Sequence, residues 1–209
     1  MPTITKYILI ANLAAYALQM FFGDLLVTHF ALWPLGDYPV AGTSATVGFE
    51  FWQLLTSAFL HGGLFHLGLN MYALYLFGSD LERLLGSRYF LALFLMAVLV
   101  GSCSQAVVAT MAAADGRIYP TVGASGGVFG ILLAFGMLFP DRTIMLLFPP
   151  IPLPARVFVL LYGAFELVNG IMGSRAGIAH FAHLGGMVGG YLVVAYWRRT
   201  NRRRPWPPP

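Results

Sequence analysis

Four of the five histidines stand in two short clusters. His61 and His66 lie in HGGLFHLGLN (61–70) with Asn70 at its end, and His180 and His183 flank the start of AHLGGMVGG (182–190). Between these clusters a lone serine, Ser125, sits among glycines in GASGGVFG (123–130), at the head of an apolar run. A serine hydroxyl becomes a useful nucleophile when a neutral imidazole takes its proton, and the same imidazole can return that proton to a leaving amine. Acyl transfer also needs N–H donors for the oxyanion that develops. His66 and Asn70, four residues apart, share one helical face and supply such donors. A helix beginning near Ser125 adds unpaired backbone N–H groups and the positive end of its dipole. Gly126 with Gly130, and Gly186 with Gly190, form small-residue faces that let two helices approach closely, which would bring Ser125 within hydrogen-bond reach of His183.

Other chemistries fit these residues less well. GASGG satisfies the G-x-S-x-G pattern of the nucleophile elbow, but that elbow follows a strand, whereas DGRIYPTV before the serine is turn-rich. His180 and His183 with His66 and Glu166 can be drawn as a metal site, yet there is no H-E-x-x-H and a metal gives the Gly-Ser-Gly turn no role. No metal and no cofactor are therefore expected. His180, which no motif claims, reads as a hydrogen-bonded or water-facing residue. The single cysteine, Cys103, excludes a disulfide within the chain and reads as a small packing residue.

The elements that must position these groups are membrane helices. The chain has 209 residues, 58% hydrophobic and 10% charged, with a mean hydropathy of +0.75, which excludes an ordinary soluble domain. Spans of roughly 17–25 apolar residues are expected at Ile4–Phe22, Phe59–Phe77, Tyr89–Val108, Gly123–Phe139, Ala155–Met172 and Ile178–Trp197. The fold class is thus an all-α polytopic membrane protein with a six-transmembrane-helix bundle in residues 1–197 and a basic, Pro-rich tail in 198–209. The first span reads as retained, without a cleavable signal peptide. The connector LWPLGDYPVAGTSATVGFEFWQ, broken by Pro and Gly, is expected to lie in the interface. Lys6, Arg83, Arg88, Arg142, Arg156, Arg198, Arg199, Arg202, Arg203 and Arg204 fall on one side, and only Arg117 and Arg175 on the other, so the positive-inside rule places both termini in the cytoplasm. The tail then meets anionic lipid head groups, with no nucleic-acid partner. Spans two, four and six all start at the outer face, which puts His66, Ser125 and His183 on one level in a water-accessible site opening outward.

HGGLFHLGLN, GASG and AHLGGMVGG, in this order on spans two, four and six, resemble the rhomboid family of intramembrane serine proteases. The resemblance implies a rhomboid-like six-helix bundle with Ser125 as nucleophile and His183 as general base. His66, Asn70 and the Ser125 N–H would form the oxyanion hole. His61 would be structural, as would Gly123, Gly126 and Gly186 near the site, and Glu82 in GSDLERLLGS would tie the cytoplasmic turn together. The substrates implied are transmembrane proteins, with a non-catalytic rhomboid-like binder of transmembrane segments as the alternative. The chain departs from the family in having Gln53 after Trp52, where many members have Arg, and Phe129 in place of a tyrosine one turn after the nucleophile, able to stack under His183. The family pattern offers no acidic third member; Asp115 and Glu166 are the carboxylates that could orient the histidine, and neither is expected to. A minimal six-span form and the charge pattern point to a prokaryotic plasma membrane, with an organellar membrane as the alternative.

Overall fold

A computed structural model describes residues 1–39, 46–146, 149–172 and 179–201. Arg175, the expected sixth-span start at Ile178, and Arg202, Arg203 and Arg204 with the rest of the tail lie outside the described residues, as do residues 40–45 of the connector. Helix α1 (Thr3–Phe30) is longer than the expected first span and kinks at Phe22, next to Gly23, where that span was expected to end. A hairpin of β1 (Asp37–Pro39) and β2 (Thr46–Gly48) and the short α2 (Gln53–Thr56) follow in the connector. Helix α3 (Leu64–Ala73) runs through one π turn, Leu74–Gly78, into α4 (Ser79–Leu85). This helix therefore starts five residues later than Phe59, because residues 57–59 form a 3₁₀ turn and Leu60 is extended. Then come α5 (Ser87–Ala114), α6 (Ser125–Leu138), a second hairpin of β3 (Thr143–Met145) and β4 (Pro152–Pro154), α7 (Ala155–Met172) and α8 (His180–Thr200). The expected helical membrane architecture holds, with the two hairpins confined to connections. Among the described residues α1, α5 and α7 are long and apolar enough to cross a membrane by length and composition.

Helix α6 is the centre of the molecule. Only Ser125, Leu133 and Met137 of its 14 residues are not buried, so it is apolar all round and enclosed by protein. At 1.5 Å per residue it is about 21 Å long, shorter than the roughly 30 Å hydrocarbon layer. A helix this short leaves at least one of its ends away from a surface in a layer of that thickness.

Two pairs of glycines seat α8 against its neighbours. A Cβ on Gly186 would overlap the Gly126 carbonyl, and one on Gly190 the Gly130 carbonyl, both on α6. Gly185 and Gly189, one residue earlier in each pair, face the Val100 and Met96 carbonyls of α5 in the same way, at 2.8 and 2.5 Å from the Cβ position. The sequence GGMVGG thus carries two i, i+4 glycine faces about 100° apart, and α8 lies in the groove between two backbones. Phe90, Leu93, Phe94, Leu74, Leu81, Ile131 and Val194 fill the apolar core beside this seam. Arg198 of α8 donates to the Met137 carbonyl at the C-terminal end of α6 (2.5 Å), a favourable place for a cation. Cys103 is exposed on α5 and does not pack as expected, since the face of α5 turned to α8 is taken by Gly101 and Ser104.

The other end of the bundle is held by Glu82. Its carboxylate accepts the backbone N–H groups of Ile4 (2.9 Å) and Thr5 (2.7 Å) and the hydroxyls of Thr5 (2.8 Å) and Ser87 (2.7 Å). Pro2 gives α1 no side-chain cap, so Glu82 caps that helix from α4 and joins it to the start of α5. Burial opposes the charge, but the bonds from Ser87, Thr5 and Ile4 outweigh it and hold the carboxyl below its usual 4.5.

Two outcomes follow for stability in detergent. Gly186→Ala is expected to cost about 1–3 kcal/mol through forced separation of α8 from α6, while Val188→Ala on the exposed face leaves the thermal midpoint nearly unchanged; equal midpoints for Gly186→Ala and wild type would sink the seam argument. Glu82→Gln is expected to cost about 2–3 kcal/mol above pH 5. Because the folded-state value is depressed, the wild type holds this contribution above about 4.5 and loses it as the pH falls through the folded value. The gap between the two melting curves therefore closes on acidification.

Candidate active site

The loop entering α6 is fixed before the helix begins. Leu32 and Thr121 exchange backbone hydrogen bonds (2.9 and 2.8 Å), and the Gly123 N–H donates to the Ser57 carbonyl (2.9 Å). Gln53, the departure at the Trp52 pair, anchors the first connector: it accepts from the Trp33 N–H (3.2 Å) and donates to the Gly48 carbonyl (3.1 Å), while the Trp52 indole donates to His29 (2.9 Å). Gly123 has φ +132°, and a Cβ there would meet the His66 ring at 2.7 Å. Both the backbone shape and the close imidazole thus demand glycine two residues before the serine.

Ser125 is the first residue of α6 and His183 lies in the first turn of α8. Across the glycine seam Ser125 Oγ and His183 Nε2 are 2.8 Å apart. Phe129, one turn after the serine, stacks on the His183 ring with centroids 4.1 Å apart and planes at 7°. The missing tyrosine hydroxyl therefore does not prevent the stack, which fixes the plane of the imidazole. The Ser125, Gly126 and Gly127 N–H groups precede the first i to i−4 bond of α6, from Val128 to Ala124 (3.0 Å), so donors and dipole point at the serine's end.

His66 and Asn70 line the same cleft as Ser125 and His183. The Gly62 N–H donates to His66 Nδ1 (3.4 Å), which leaves the ring proton on Nε2, the edge turned to Gly123. Asn70 donates one amide hydrogen to the His66 carbonyl (3.0 Å) and carries a second. His61 is buried and its ring meets His66 edge to face, with centroids 5.1 Å apart. Its backbone is held from α1 by Gln19, which donates to the His61 carbonyl (2.8 Å) and accepts its N–H (3.0 Å).

A second polar cluster lies behind His183. Glu166, in the middle of α7 and 2% exposed, places Oε2 2.6 Å from His180 Nδ1 and 2.9 Å from His183 Nδ1. Asp115 is exposed at the end of α5 beside Arg117 (3.5 Å), away from the histidines. Of the two carboxylates named from the sequence, only Glu166 reaches the imidazole. Glu166, His180 and His183 also bring one ligand atom each within 4.8 Å of one another, a set of donor types that zinc accepts; His66, drawn into a metal site from sequence, is not part of it. Gln19 and Gln53 were missed as anchors, and the only signal for either is a polar amide in an apolar stretch.

Residues 48–200 match the Rhomboid domain family. Rhomboid protein 1, mitochondrial, of Saccharomyces cerevisiae is 35% identical over 156 residues, covering 72% of this chain and 44% of the relative. Presenilin-associated rhomboid-like protein, mitochondrial, of Homo sapiens is 33% identical over 144 residues, 68% of this chain and 37% of the relative. Rhomboid protease GluP of Bacillus subtilis is 32% identical over 147 residues, 70% of this chain and 26% of the relative. The chain thus matches less than half the length of these proteins. Two of the three carry a mitochondrial name, so they do not support the expected prokaryotic plasma membrane. The family match runs through Ser125, His183 and the whole α3 to α8 core that positions them, and the chain belongs to the rhomboid family.

Proposed function

We propose that this rhomboid is a serine endopeptidase that hydrolyses peptide bonds in or near the transmembrane segments of membrane-protein substrates. The observation that carries the reading is the 2.8 Å contact between Ser125 Oγ and His183 Nε2, with the His183 plane set by Phe129. In the first half-reaction Ser125 Oγ attacks the carbonyl carbon and its proton passes to His183 Nε2. His66 Nε2–H, the second Asn70 N–H and the Ser125 backbone N–H hold the oxyanion. Collapse breaks the C–N bond, and the proton on His183 goes to the leaving amine, which leaves an acyl ester on Ser125. Water then adds with His183 as base, and the acid is released with the serine restored.

The cleft explains how water reaches such a site: the polar lining of His66, Asn70, Ser125, Glu166 and His183 keeps it wet at a depth set by the short α6. We read the chain as six spans with both termini cytoplasmic and the cleft opening to the outer face, where Arg117 lies, and with Arg198 and Arg199 at the opposite surface among lipid head groups. A substrate helix must unwind to present its carbonyl, because a hydrogen-bonded helical backbone resists attack. Segments with small or helix-breaking residues near the outer face fit best.

The test is cleavage of a fluorogenic transmembrane reporter by the purified chain in proteoliposomes. Ser125→Ala and His183→Ala are each expected to lower kcat at least about 10³-fold with folding retained, and Asn70→Ala about 10²-fold or more. A fluorophosphonate probe should label the wild type and not Ser125→Ala. Reporter segments that bind without being cut, with no labelling of Ser125, would instead make the chain a non-catalytic binder.

A further inference from the structure

The dyad alone leaves a buried atom unexplained. For Nε2 to accept the serine proton, the neutral His183 ring must carry its hydrogen on Nδ1, and the ring must then accept a full positive charge during each half-reaction. His183 Nδ1 is buried and has no well-aligned hydrogen bond among the described residues. A cation formed there is costly in an apolar bundle unless a counter-charge is at hand. The one carboxylate in reach is Glu166, whose Oε2 lies 2.9 Å from that nitrogen, with the N–H off the line between them. Such contacts are often loose in a free enzyme and tighten when substrate binds.

Resting on the dyad reading above, we propose that Glu166 is a positioning residue for His183, making a Ser125–His183–Glu166 chain whose carboxylate is itself pinned by His180. The three contacts are mutually consistent in protons. His180 Nδ1 is hydrogen-bonded to Glu166 Oε2 at 2.6 Å, and His183 Nδ1 faces the same oxygen at 2.9 Å, so that both rings can carry their hydrogen on Nδ1 and His183 Nε2 is left as the base. In the transition state the proton moves from Ser125 Oγ to His183 Nε2 and no further; Glu166 stays a carboxylate and balances the imidazolium. The placement on α7 supports a dedicated role. Only Ala155, Val159 and Glu166 of that helix are buried, so the helix turns its one acidic side chain inward while its Leu160, Leu161 and Ile171 face outward. A carboxylate serving only to anchor α7 would not need to meet the back of the general base.

The experiment measures kcat and KM on the reporter, and the rate of fluorophosphonate labelling of Ser125, for wild type, Glu166→Gln, Glu166→Asp and Ser125→Ala. Glu166→Gln, close to isosteric, is expected to lower kcat and the labelling rate about 10²-fold or more with KM little changed, and Glu166→Asp to restore part of the loss. Wild-type kcat and labelling in Glu166→Gln, with Ser125→Ala inactive, overturn the inference and leave the dyad intact. Cleavage by Ser125→Ala overturns the reading beneath it. Equal losses in the Gln and Asp variants that track a lowered thermal midpoint make Glu166 a structural anchor only. Loss of wild-type activity on chelation, restored by zinc alone, makes the trio a metal site and also overturns the proposal.

Discussion

The contact between the backbones of α6 and α8 is the constraint on which the site depends. Serine and histidine come from helices 58 residues apart in sequence, and their side chains are short. They meet because Gly126 and Gly130 on one helix and Gly186 and Gly190 on the other leave nothing between the two main chains. In a bilayer, where burying apolar surface does not drive helices together as it does in water, such close packing is a main source of attraction between them. The same glycines that hold the bundle therefore set the distance between Ser125 and His183, and stability and geometry share one cause.

Around that seam the polar groups are arranged by need rather than by number. An unpaired polar group in a low-dielectric interior is costly, and here the amides of Gln19 and Gln53 satisfy backbone groups outside a helix, while Asn70 bonds back to the His66 carbonyl within α3. The connections that enter the cleft are thus tied down by side-chain amides. Ser125 and His183 sit in the first turns of α6 and α8, and the loop before Ser125 is pinned by the paired backbones of Leu32 and Thr121.

Much of this was legible in the sequence, and what was missed has a common cause. The approach of Ser125 to His183, with His66 and Asn70 in the same cleft, was readable because each residue sits in a local pattern with its helix register attached. The seventh helix was placed at its observed ends, 155 and 172, because the prolines before Ala155 leave no other start. The first helix was cut short at Phe22, since a kink beside glycine looks like an end when only local residues are seen. Gln53 stood out in sequence only as a departure from arginine, but an amide supplies both a donor and an acceptor where a guanidinium supplies donors only. Glu166 was named as a possible orienter but not expected to reach His183, and Gln19 was not named, because their partners, 17 and 42 residues away, are set by how helices pack and not by spacing along the chain.

Glu82 gives the bundle a mechanical asymmetry. It lies 16 residues after His66 along one nearly continuous helix, about 24 Å from the level of the cleft. There its single carboxylate joins the first turns of α1 and α5 to α4, while no residue of α7 takes part in that knot. The molecule is a frame clamped at its base, in which α1, α3, α4 and α5 act as one stiff piece. Helices α6, α7 and α8 lie outside that knot, and α7 is tied instead at the opposite end of the molecule, where Glu166 meets His180 of α8.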